Sequence, residues 1–164
     1  MLAPDVNILV YAHRSESPDH GRYGEWLRSV AQGPEPFGLP DLVGTAFVRI
    51  VTNERLWREP TSPRAAVEFV DRLRSRRNCR ALHAGPESWR IFARLVEETP
   101  ATGKLVADAW LAAVAMEHAC TLATCDGDFA RFPSLRWMHP LQPAGTPGPA
   151  RRQARPGTRG RRAR

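Results

Sequence analysis

Short apolar runs alternate with longer segments of helical periodicity along most of the 164 residues. Besides a very short run ending at Asp5, the runs typical of buried strands are Phe37–Leu39, Arg80–His83, Thr121–Cys125 and the brief Arg136–Met138. Helical segments lie between them, and a helical connection returns the next strand parallel to the last. The pattern therefore predicts a three-layer α/β/α, Rossmann-like domain with a short central parallel sheet covered on both faces.

Positive charge is concentrated at the end of the chain. Residues 143–164 contain seven arginines and no acid, so 17 of the 24 basic residues remain in 1–142, where they balance 17 acidic residues. The last segment is also rich in proline and glycine and has no large aliphatic residue. We predict a folded domain over residues 1–142 and a disordered Arg/Pro/Gly-rich tail over 143–164. The net charge of +7 is thus no evidence for nucleic-acid binding by the domain.

Cysteine content and hydropathy bear on the compartment. Cys79, Cys120 and Cys125 are odd in number and lack C-x-x-C spacing, which argues against a disulfide framework and against a zinc site. The N-terminal apolar run has no charged leader and is far shorter than the roughly 20 residues of a membrane span. We expect a cytoplasmic protein that does not bind membranes.

Aspartates occupy positions where parallel strands would bring them together. Asp5 and Asp126 each follow a predicted strand, and Asp108 lies on the alanine-rich helix before the second of these strands. Taken singly, each aspartate has an explanation that needs no metal: Asp5 could cap a helix, Asp108 could lie on a helix surface, and Asp126 could belong to a turn. Ligands of such sheets bind beyond the carboxyl ends of the strands, and converging carboxylates are tolerated mainly around a divalent cation. The joint pattern favours a metal-dependent hydrolase.

Each of these aspartates lies in a longer motif: Asp5–Ala12, Asp108–Ala115 and Leu122–Phe129. The three segments resemble the acidic motifs of PIN-domain ribonucleases, and more narrowly those of the VapC toxins of bacterial toxin–antitoxin pairs. The segments Phe47–Asn53 and Phe129–Phe132 are similar to one subgroup of those toxins, and the resemblance runs from about Leu2 to Leu141.

The resemblance implies an endoribonuclease that uses Mg²⁺ or Mn²⁺ and leaves a 5′-phosphate and a 3′-hydroxyl. Asp5 and Asp108 match the metal-binding pair of the family, Asp126 the later acid of the site, and Asp128 a less uniform companion. The implied partners are an RNA substrate such as tRNA or rRNA and a small cognate antitoxin. Apolar helices around Trp26 and Phe47 could form the surface for the antitoxin or for a homodimer, and are equally explained as core.

One departure from the family pattern concerns the helix after the second strand. The glutamate that is common there is absent near Thr45 and Ala46. Asp41, one turn earlier, could face the same way, or could simply begin the helix. The missing glutamate would weaken a second metal site before the first. It also leaves open the alternative that the chain is a binding module with a PIN fold and no catalytic activity.

Four polar residues are candidates for contact with substrate. Thr45 could hold a metal-bound water. Arg49 and Asn53, one helical turn apart, could orient RNA phosphates or could simply pair with nearby acids. Thr124 precedes Asp126 by two residues and is expected to hydrogen-bond a carboxylate of the site.

Overall fold

The structure, a computed structural model, describes residues 1–142; the predicted disordered tail lies outside the described residues. The strands are β1 (Leu2–Pro4), β2 (Phe37–Pro40), β3 (Cys79–Leu82), β4 (Thr121–Ala123) and β5 (Trp137–Met138). The helices are α1 (Val6–His13), α2 (His20–Gln32), α3 (Asp41–Val51), α4 (Pro63–Arg74), α5 (Pro86–Glu98) and α6 (Lys104–Glu117). A 3₁₀ helix, Gly127–Arg131, which the hydropathy pattern did not predict, follows β4.

The five strands form one parallel sheet in the order β3-β2-β1-β4-β5. Strand β1 is central, and its three residues pair with β4 from Leu2 opposite Thr121 to Pro4 opposite Ala123. The direction of strand addition reverses between β1 and β4, which creates a crevice beyond their carboxyl ends. This architecture confirms the predicted α/β fold.

Both β1 and β2 end in a proline that is followed by an aspartate. Pro4 and Pro40 have no N–H to donate, so neither residue can take its full place in a sheet ladder. Each strand gives way at once to a helix. Asp5 caps α1 by accepting a hydrogen bond from Val6 N at 2.6 Å, and Asp41 is the first residue of α3.

Small side chains allow α6 to pack closely on the rest of the domain. Ala109, Ala112, Ala113 and Ala115 have no exposed surface, and the helix contacts both β2 and β4. At the end of α6, Glu117 accepts hydrogen bonds from the backbone of Gly85 and Glu87 and from the Ser88 hydroxyl, which caps α5. The position of α6, and of Asp108 on it, is therefore fixed by the core and by α5.

The end of α3 and the burial of Phe47 bear on two of the predictions. The helix ends at Val51, so Asn53 lies in the following turn, where its Oδ1 accepts a hydrogen bond from Arg55 N. The predicted position of Asn53, on the helix one turn after Arg49, is therefore off by the two residues that separate Asn53 from Val51. Phe47 is fully buried and stacks on Phe69, as core residues do.

In the described part of the chain, no helix is long and apolar enough to cross a membrane.

Candidate active site

Four aspartates lie at the crevice beyond β1 and β4. Asp5 follows β1, Asp126 follows β4, Asp128 lies in the 3₁₀ helix, and Asp108 projects from α6. The charges of Asp5, Asp126 and Asp128 all act on Asp108 and oppose its ionisation. The structure thus brings together the four acids that the sequence predicted as metal ligands.

Asp5 is almost completely buried and its carboxylate is held by three donors. Oδ1 accepts from Val6 N, and Oδ2 accepts from Asn7 Nδ2 and from the Thr124 hydroxyl, both at 2.7 Å. Burial raises the pKa of Asp5 from 3.8 to about 6, although the hydrogen bonds from Thr124 and Val6 oppose the rise. The donors fix the direction of the carboxylate, and its burial makes the negative charge costly without a cation.

Thr124 links two of the acids. Its side chain is fully buried; the hydroxyl donates to Asp5 and accepts from Asn7 Nδ2 and from Asp126 N, each at 3.0 Å. This confirms the expected hydrogen bond to a site carboxylate. Because Thr124 has no exposed surface, the structure assigns it a positioning role in place of the predicted contact with substrate.

Asp108 has a buried carboxylate oxygen that accepts no hydrogen bond in the described chain and lies 3.9 Å from the Lys104 ammonium. This oxygen is Oδ2, and the side chain as a whole is 22% exposed. Burial raises the pKa of Asp108 to about 6; Lys104 opposes the rise, and the charges of the other three acids add to it. A buried acceptor without a donor, among other carboxylates, is a position that a cation would stabilise.

Lys104 lies among the acids and was not predicted as a site residue. Its Nζ is 3.0 Å from Asp126 Oδ2, 3.0 Å from Asp128 Oδ2 and 3.9 Å from Asp108 Oδ2. Two features of the sequence could have identified it: it is the only lysine in the chain, and it precedes Asp108 by four residues, one turn of helix. Asn7, which holds both Asp5 and Thr124, was also missed as a site residue, although it lies within the first acidic motif.

The acids suit a hard divalent cation in their donor type. Carboxylate oxygens are the ligands that Mg²⁺ and Mn²⁺ prefer, and Oδ2 of Asp108, which accepts no hydrogen bond within residues 1–142, can coordinate such an ion. Within residues 1–142, however, no three His, Cys, Asp or Glu side chains are already arranged to hold a metal ion. The donor chemistry therefore fits such an ion, and a small rearrangement of side chains would have to accompany its binding.

A cavity of about 380 Å³ adjoins the acids and is lined in part by Asp5, Asp108, Lys104, Thr45 and Arg49. Thr45 and Arg49 are exposed on α3, and Asn53 is absent from the lining. The remaining wall is mostly apolar and comes from α1, α3 and α6: Val6, Leu42, Val43, Ala46, Ala107 and Leu111. Two of the predicted substrate-binding residues thus lie on the cavity beside the cluster.

Asp41 has its charged partners outside this cluster. Its carboxylate forms an ion pair with Arg74 Nη1 at 2.7 Å and a short contact with His83 Nδ1. The hydrogen bond from Arg74, with that from His83, lowers the pKa of Asp41. The structure thus favours Asp41 as a helix-starting acid over a substitute for the missing glutamate.

Comparison with known proteins agrees with this fold. The PIN domain family model matches residues 2–135. Ribonuclease VapC43 of Mycobacterium tuberculosis is 45% identical to this chain over 141 residues, which cover 86% of this chain and 96% of the relative. Ribonuclease VapC25 of the same species is 38% identical, and the match covers 85% of this chain and 99% of that relative. VapBC2 from Rickettsia felis, solved with a promoter DNA fragment, has the same fold, with a TM-score of 0.61 at 20% identity over 84% of this chain and 96% of that one. The chain therefore belongs to the PIN-domain family, and within it to the VapC ribonucleases.

Proposed function

We propose that this protein is a metal-dependent endoribonuclease and the toxin of a toxin–antitoxin pair. The observation that carries the proposal is the convergence of Asp5, Asp108, Asp126 and Asp128 at the crevice between β1 and β4. Membership of the VapC ribonucleases supports RNA as the substrate.

The four aspartates would hold Mg²⁺ or Mn²⁺, with Asp5 and Asp108 as the principal ligands. When bound, such an ion polarises a phosphate and supplies a nucleophile at neutral pH. The chain itself orients the ligands: Thr124 and Asn7 hold Asp5, and the backbone N–H of Asp128 fixes Asp126 Oδ1 at 3.0 Å. Since protons compete with a metal for Asp5 and Asp108, metal binding should strengthen as the pH rises through about 6.

RNA would enter through the cavity beside the cluster. Arg49 is exposed on α3 at this cavity, where its guanidinium can contact a phosphate next to the scissile one. Thr45 lies one turn earlier on the same helix and its hydroxyl donates to the carbonyls of Asp41 and Leu42 at 3.1 Å. The uncharged Thr45, in place of a glutamate, leaves that side of the cavity without a carboxylate, which favours one metal over two.

The cognate antitoxin would cover the same cavity. Its wall offers apolar side chains such as Val6, Leu42 and Leu111 next to carboxylates. A partner segment with apolar and basic residues is complementary to such a surface. Co-expression with the protein encoded beside this chain should yield a stable complex in which RNA cleavage is suppressed.

The decisive experiment is RNA cleavage by the purified protein, free of any partner, with and without Mg²⁺ or Mn²⁺. Asp5→Asn and Asp108→Asn should each abolish cleavage, whereas Asp41→Asn should retain it because Asp41 pairs with Arg74 outside the cluster. Sequencing of 5′ ends in total RNA after brief expression would locate the cuts. Identical end profiles for the wild type and Asp108→Asn would refute the nuclease function.

A PIN-fold binding module without catalysis is the second candidate. The observation in its favour is Lys104, whose ammonium already neutralises part of the cluster while no ready-made metal site exists in the described chain. Absence of cleavage by the partner-free wild type, over a panel of structured RNAs and both metals, would favour this module.

A further inference from the structure

We propose that Lys104 is a built-in counter-cation of the aspartate cluster, which a divalent metal must displace in order to bind. The inference rests on the proposed metal dependence and adds a residue that sets metal affinity. The Lys104 ammonium bridges Asp126 and Asp128 and lies 3.9 Å from Asp108.

A lysine at the start of α6 is unfavourable for the helix itself, and the nearby carboxylates explain why it is tolerated there. Lys104 is the first residue of α6, and the preceding Gly103 forms no side-chain cap. The N-terminus of a helix carries partial positive charge and favours acids, so a lysine there is disfavoured unless other groups compensate it. The carboxylates of Asp126 and Asp128, both from the segment after β4, supply that compensation.

The ammonium and a metal would compete for the same oxygens. Nζ donates to Asp126 Oδ2 and is equally close to Asp128 Oδ2, whereas Mg²⁺ would need such oxygens at about 2.1 Å. A dication held there would repel the ammonium strongly. Binding of the metal therefore requires the ammonium to leave the cluster.

Displacement needs no change of the backbone. The Lys104 side chain is 61% exposed, and its flexible four-carbon stem can turn the ammonium into solvent or into the adjoining cavity. The Oδ2 atom of Asp108, which accepts no hydrogen bond in the described structure, is then accessible on the same helical face.

Mn²⁺ binding measured by calorimetry at fixed pH, on the full chain without partner, tests the inference. Lys104→Met should bind Mn²⁺ about 5- to 20-fold more tightly than the wild type, because two partly exposed ion pairs no longer compete. Lys104→Arg keeps the charge and should bind much as the wild type does. Arg49→Met is the matched control: it removes a positive charge from the same cavity, but Arg49 forms no ion pair within residues 1–142, so affinity should change less than twofold.

Thermal unfolding, first in chelator and then with added Mn²⁺, provides a second readout that does not depend on activity. Without Lys104 the acids lose their counter-charge, so Lys104→Met should melt below the wild type and below Arg49→Met, and should gain more from added Mn²⁺. Unchanged or weaker Mn²⁺ binding by Lys104→Met, while the wild type binds through Asp108, would overturn the role of Lys104 alone. If neither the wild type nor Lys104→Met binds Mn²⁺, the proposed metal dependence and the displacement both fail.

Discussion

Replacing Asp108 by asparagine should stabilise the metal-free protein at alkaline pH while abolishing its activity. The pKa of Asp108 rises from 3.8 to about 6, so ionisation of this group costs at most ~3 kcal/mol of folding free energy. Partial exposure of the side chain, 22%, and loss of its attraction to Lys104 reduce the expected gain to ~1–2 kcal/mol.

The sign of the effect depends on pH. Because the folded-state pKa of Asp108 lies above its unfolded value, the native protein retains a proton that the unfolded chain releases, and the wild type loses stability as pH rises from about 4 to about 6. The cost is complete above about pH 6. Asp108→Asn has no such proton, so its advantage should be present at pH 8 and should vanish towards pH 4.

Urea denaturation in chelator at several pH values measures this difference in the free energy of unfolding. Asp71→Asn removes an exposed carboxylate from α4 and serves as the control, with no comparable pH-dependent gain. Saturating Mg²⁺ or Mn²⁺ should reverse the order, since only the wild type keeps the ligand. Destabilisation by Asp108→Asn at pH 8 in chelator, or a gain that is independent of pH, would refute the reasoning.

Three further substitutions test the support of the site. Thr124→Val removes the hydroxyl that donates to Asp5 and accepts from Asp126 N. We expect it to lower the free energy of unfolding, measured by chemical denaturation, by ~2–3 kcal/mol and to reduce cleavage. An unchanged free energy of unfolding would contradict the role of that hydroxyl. Ala112→Leu inserts bulk where α6 is fully buried and should cost ~1–3 kcal/mol by thermal unfolding, whereas a neutral effect would mean that α6 can shift outward. Gly38→Ala places a Cβ where it overlaps Leu82 Cδ1 and should lower the melting temperature; a melting temperature equal to the wild type's would show that Leu82 can repack.

The order of strands and helices was predictable because hydropathy periodicity reports burial. Buried strands such as Phe37–Pro40 are apolar throughout, and α6 combines helical length with alanine. The approach of Asp5 to Asp126 followed from the parallel sheet, once their strands were taken as neighbours. Helix bounds were less certain: α3 ends before Asn53, because the following turn uses the Asn53 carbonyl to accept hydrogen bonds from Leu56 and Trp57.

Contacts between side chains that lie far apart in the chain could not be predicted from the sequence. Helical spacing allowed Asp41 to face the site, but Arg74 and His83, from α4 and the end of β3, engage its carboxylate. The contacts of Lys104 also depend on the path of the chain after β4, which brings Asp126 and Asp128 over the start of α6. Local patterns carry no information about such long-range encounters.

The Pro-Asp pair that ends both β1 and β2 shows how little a local motif decides by itself. The two dipeptides stop a strand and start a helix in similar ways, yet Asp5 enters the carboxylate cluster and Asp41 forms a surface ion pair. The difference arises from the neighbours of each strand, since β1 lies beside β4 at the reversal of strand order, while β2 lies between β1 and β3. A search for this dipeptide would find both sites with equal weight, together with Pro18-Asp19, which lies in the turn before α2. The surroundings of the aspartate at such a motif therefore depend on strand order, and moving the pair to another strand would give a helix start without the carboxylate cluster.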